Sequence, residues 1–108
     1  MSTDICTILT LAKKVCDTTN SAINLYSTTR QLRKQEMNEL KVRIDAYLTA
    51  AYTRYAGDLT RSIIEEIAKT QRFIDEQNLS GAALDYAMDQ LANLNDNLSR
   101  ALNNFKCA

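Results

Sequence analysis

From residue 29 to residue 78 the chain contains no proline and a single glycine, Gly57, while apolar and charged residues both recur at intervals of three and four. On a helix that turns about 100° per residue, Met37, Leu40, Ile44, Tyr47, Leu48, Ala51 and Tyr55 fall on one apolar stripe. Leu59, Ile63, Ile67 and Ile74 form a second stripe, rotated from the first by roughly 100°. The charged residues Glu36, Arg43, Arg54, Asp58, Arg61, Glu65, Lys69, Arg72 and Glu76 keep one phase straight through Gly57. A solvated face that runs on without a break favours one long helix, and a mid-helix glycine costs only about 1 kcal/mol against alanine. The rotated apolar stripe supports the alternative, in which Gly57 takes positive φ, Asp58 caps a new helix and the chain folds back.

The flanking segments are helical by the same test. Ile5, Ile8, Leu9, Ala12, Val15, Cys16, Ala22, Ile23 and Tyr26 give an amphipathic first helix. The run from Asp17 to Ser21 is made of poor helix formers that compete for their own backbone, which leaves room for a kink or even a break there. Thr28 followed by Gln31 resembles a capping box and places a turn at residues 28–29. Asn78 suits a left-handed helix end and Ser80 the next cap. From Leu84 a strict seam follows through Ala87, Leu91, Leu94, Leu98, Ala101 and Phe105, widened by Met88 and Leu102, with Asn93, Asn95, Asn97, Asn103 and Asn104 assigned to the outer face. The fold class is therefore all-α. The favoured arrangement is a single domain over 1–108, with a long central helix (29–78) flanked by two antiparallel helices in a coiled-coil-like bundle. Such a rod is two helices thick, and dimerisation would complete it. The alternative is a compact up-down four-helix bundle broken at Gly57.

Composition narrows the partners. The 108 residues are 45% hydrophobic, enough for a core if the chain is compact. Thirteen basic and thirteen acidic residues leave no net charge to attract nucleic acid or an anionic membrane. The charges are nevertheless unequal along the chain, +3 over residues 1–56 and −3 over residues 57–108, a dipole that would align an antiparallel homodimer. Lys13 and Lys14 interrupt the first apolar run, which argues against a signal peptide or membrane span and for a cytoplasmic protein. In that setting Cys6, Cys16 and Cys107 are expected as reduced thiols. Doubling back twice would bring Cys6 and Cys107 over the tyrosine-rich middle and keep Cys16 apart, so a Cys6–Cys107 bond is geometrically open.

No residue set for catalysis stands out. The chain lacks histidine, the usual base for a serine or cysteine nucleophile, and has no phosphate loop or zinc spacing. The expectation is no enzyme, no cofactor and no metal; Asp85 and Asp89 share a face but suit a helix N-terminus as they stand. Two surfaces remain. Tyr47, Tyr52 and Tyr55 among small residues, with Leu59 and Ile63, are the candidate protein interface. Arg30, Arg33, Lys34, Lys41 and Arg43 are a candidate phosphate-contacting cluster, disfavoured because no aromatic side chain interleaves them for stacking. The reading is a self-associating helical adaptor or regulator that binds another protein. The alternatives are a nucleic-acid-associated regulator using Arg30 to Arg43 and a small antitoxin or immunity-type inhibitor.

Overall fold

The computed structural model describes residues 3–54, 57–76 and 83–105, and every regular element in them is helical. α1 spans Thr3–Thr29, α2 Lys34–Tyr52, α3 Asp58–Glu76 and α4 Ala83–Leu102. The short links make sequence neighbours antiparallel. α1 packs against all three other helices and α3 packs against both of its sequence neighbours, whereas α2 and α4 do not meet among the described residues. The molecule measures 45 × 22 × 18 Å.

The chain thus folds back at Gly57, and the continuous helix over residues 29–78 is not formed. α2 ends in a tightened turn, in which the Arg54 amide donates to the Ala51 carbonyl at 3.0 Å. Gly57 then adopts φ +132°, a region that residues with a Cβ rarely enter. Its carbonyl accepts the Arg61 amide at 3.0 Å, which makes Gly57 itself the residue before the first turn of α3, with Asp58 inside that turn. The carboxylate there suits the positive end of the helix dipole. A Cβ at Gly57 would meet nothing within 4 Å, so Gly57→Ala meets only a backbone penalty. We expect about 1–3 kcal/mol of destabilisation, read as a lower thermal midpoint with an unchanged helical spectrum. A neutral or stabilising result would mean that the chain has no need of this conformation.

The first turn also lies later than residues 28–29. Thr28 and Thr29 turn their hydroxyls back to the carbonyls of Asn24 and Leu25, at 2.9 and 2.8 Å, so no capping box forms. α1 instead closes on Arg30, whose φ is +57° and whose amide donates to the Tyr26 carbonyl at 2.7 Å, the left-handed helix ending usually given to glycine. α2 starts after Arg33, which supplies no side-chain cap. The weak segment of α1 does not break it. Ser21 bonds back to the Asp17 carbonyl at 3.0 Å and Thr19 is fully buried, so packing overrides local preference. The proposed caps Asn78 and Ser80 lie outside the described residues.

The core collects one face from each helix: Ile8, Ala12 and Val15; Met37, Leu40 and Ile44; Ile63, Ile64, Ile67 and Ile74; Leu84, Met88, Leu91 and Leu98. Leu91 and Leu98 are fully buried, in keeping with the seam. Asn95, assigned above to the outer face, is instead buried. Its amide donates to the Asn20 side-chain oxygen at 2.8 Å and to the Cys16 carbonyl at 3.3 Å, tying α4 to the middle of α1.

Cys6 is disulfide-bonded, where reduced thiols were expected. Cys16 is free and buried, apart from that bond as its position on α1 implies; Cys107 lies outside the described residues. Burial, with the nearby Asp17 charge, pushes the Cys16 thiol up to about 11. Since the thiolate is the nucleophile, the thiol is nearly all protonated at neutral pH. Alkylation of native Cys16 should therefore be negligible at pH 7 and become rapid only on unfolding. Prompt labelling of the folded protein at Cys16 would contradict this placement.

Candidate interaction surfaces

The five residues nominated as a protein interface do not form one surface. Ile63 is 1% exposed and belongs to the core, because α3, once folded back, turns its second apolar stripe inward. Tyr47 is half-buried against the core. Tyr52 is 54% exposed at the end of α2. Tyr55 and the Leu59 side chain lie outside what the structure describes.

The basic cluster is likewise divided. Arg30, Arg33 and Lys34 sit at the α1–α2 connection, while Lys41 and Arg43, two positions apart on α2, project about 200° from one another. Two of the five already face carboxylates: Arg33 is 3.7 Å from Glu36 and Arg30 is 3.9 Å from Asp85.

Two cavities flank the end of α1. The first, of about 320 Å³, lies between α1 and α4 and is lined by Ile23, Tyr26, Arg30, Asp85, Met88 and Asp89, with Ser27 and Ala92. The Tyr26 hydroxyl donates to Asp85, and the Arg30 guanidinium lies 5.8 Å from the centre of the Tyr26 ring. That hydrogen bond first, then burial and the Asp85 charge, raise the Tyr26 phenol above its ordinary range. Asp85 is thereby engaged by both Tyr26 and Arg30, and the constellation reads as a clasp between the end of α1 and the start of α4. Among the described residues no group of three metal-ligating side chains gathers.

The second cavity is an open groove of about 300 Å³ between α1 and α2. Asp17, Thr18, Ser21, Ala22 and Leu25 form its α1 wall and Glu36, Glu39, Leu40 and Arg43 its α2 wall, with Leu32 at the connection. The spacings of three and four on each wall explain this: 17, 21 and 25 share one line on α1, and 36, 39 and 43 share another on α2. Leu25 is 38% exposed, so the apolar part of the groove is open to solvent. Glu36 places one carboxylate oxygen toward Arg33, while the other is buried and meets no hydrogen-bond donor among the described residues. Sequence reasoning read these acids as a solvated face and did not pair them with α1.

No helix among the described residues is long and apolar enough to cross a membrane. A comparison with known proteins finds no matching family, curated relative or solved structure.

Proposed function

We propose that the chain is a non-enzymatic helical interaction module, an adaptor or regulator, that docks another protein in the groove between α1 and α2. One observation carries this reading. Of the four large apolar side chains exposed among the described residues, Leu25, Val42, Tyr52 and Tyr86, Leu25 opens into a cavity whose walls also hold Leu32, Leu40 and the acidic residues Glu36 and Glu39. An apolar recess edged by a few oriented polar groups is the usual form of a binding site. The expectation of a homodimer came from a rod only two helices thick; four helices from one chain remove that argument, and the partner is taken to be a different polypeptide. The Cys6 disulfide persists in an oxidising setting, so a cytoplasmic protein would carry Cys6 reduced.

The test is a photo-crosslinking residue placed in the whole chain at Leu25 and, as a control, at the exposed Asn97, followed by irradiation in the source cell. A discrete adduct with another protein from position 25, absent from position 97, is expected. Equal labelling from both positions would contradict the reading. So would an adduct of position 25 with a second copy of the 12.2-kDa chain alone, which would mean self-association.

A further inference from the structure

The chemistry of the groove narrows the class of partner. Its lining holds three carboxylates, Asp17, Glu36 and Glu39, against one cation, Arg43. In the antiparallel pairing of α1 with α2, Arg43 lies at the Asp17 end and Glu36 at the Leu25 end, so the acidic excess falls on Glu36 and Glu39 beside the exposed leucine. The Glu36 side chain is 30% exposed and Glu39 is exposed, so the acidic edge of the groove is open to a partner. Arg33 stands 3.7 Å from Glu36, with an 83% exposed side chain, and is not part of the groove lining. What the site lacks is a cation carried on an apolar stem.

We infer that the groove receives a basic amphipathic segment of a partner protein. An arginine or lysine head meets Glu36 and Glu39, and the aliphatic stem and a neighbouring apolar residue cover Leu25, Leu32 and Leu40. Long basic side chains suit this arrangement because the stem packs on apolar surface while the head keeps its polar contacts. The α1 wall from Asp17 to Leu25 spans nine residues, a rise of about 12 Å at 1.5 Å per residue, room for about two turns of a docked helix. This inference rests on the groove being the docking site and adds the sign and shape of what docks.

The experiment is selection of a displayed library of short random peptides on the intact protein, with Glu36→Gln and Glu39→Gln forms used in parallel. The expected winners carry arginine or lysine three or four residues from leucine-like residues. Their binding should fall about tenfold on Glu36→Gln, the scale of one hydrogen bond to a charged group, with the helical spectrum of the variant unchanged. Replacing the selected arginine by citrulline should cause a similar loss. Winners without positive charge, winners indifferent to Glu36→Gln, or no winners at all would overturn the inference. So would agmatine alone competing at the concentration of the peptide, since the site would then be one for a small cation. An adduct from position 25 in the crosslinking experiment would survive each of these outcomes, so a wrong partner class and a wrong docking site are told apart.

Discussion

Asn95→Asp should destabilise the protein by about 4 kcal/mol at pH 7, the ceiling set by the gap between the unfolded carboxyl pKa near 3.9 and the ambient pH when full burial raises the native pKa by about three to five units. The side chain is nearly isosteric, so the effect isolates charge and hydrogen bonding. Asn95 is 3% exposed, and its amide group donates to two acceptors, the Asn20 side-chain oxygen and the Cys16 carbonyl. A carboxylate there faces two oxygens between α1 and α4. Asn20 is exposed and can turn its own amide to donate, but the Cys16 carbonyl cannot. The sign with pH follows from linkage. The folded-state pKa of the introduced carboxyl lies above its unfolded value near 3.9, so the penalty is absent below that value. It grows as pH rises and is complete above the raised native pKa. Against a typical total stability of about 5–15 kcal/mol, the variant should lose a large share of its stability at pH 7 and regain it on acidification. Asn95→Leu is the control: it removes the charge problem and should cost far less. Equal losses for the two variants, or no pH dependence for the aspartate, would show that Asn95 is not buried in this polar contact.

Leu91→Ala and Leu98→Ala should each cost about 2–5 kcal/mol, a fall in thermal midpoint of roughly 10–20 °C for a domain of this size. Both side chains are fully buried and sit one heptad apart on the face that α4 turns to α1 and α3. Removing three carbons there forfeits transfer energy and leaves a cavity that rigid helices fill only in part. Leu94→Ala, at a half-buried position on the same seam, should cost distinctly less. A gradation of this kind is expected of a closed bundle. Small and equal losses would mean that the seam of α4 is free in the isolated protein and reserved for a partner.

The helices were legible because their apolar periodicity is strong, and the seam of α4 was read almost residue for residue. The error at Gly57 has a definite physical source. The charged stripe keeps its phase across the break because both α2 and α3 present polar faces to solvent, and a short link can restore the phase by chance. The rotation between the two apolar stripes was the better signal, since a buried face is fixed by its neighbours and a solvated one is not. Asn95 was misplaced on composition, although it stands seven residues from both Met88 and Leu102, which were themselves read as inward. The groove was not legible from either helix alone. Asp17 and Ser21 read only as weak helix formers on α1 and Glu36 as part of a solvated face on α2, and only the antiparallel register of α1 and α2 places them around Leu25. Arg30 carried no warning at all, because a left-handed arginine at a helix end is a role that sequence preference gives to glycine or asparagine.

All that is inferred about buried and open faces depends on one chain supplying four helices by reversing at Gly57, and a pair of spin labels tests that directly. Asn38 on α2 and Arg72 on α3 are both exposed and lie level with one another when the chain folds back. With the labelled protein diluted in unlabelled chain to suppress distances between molecules, the account predicts a separation within the 22 Å breadth of the molecule, extended only by the label arms. A continuous helix would hold the same two positions roughly 51 Å apart, at about 1.5 Å per residue, and a distance near that value would contradict the fold.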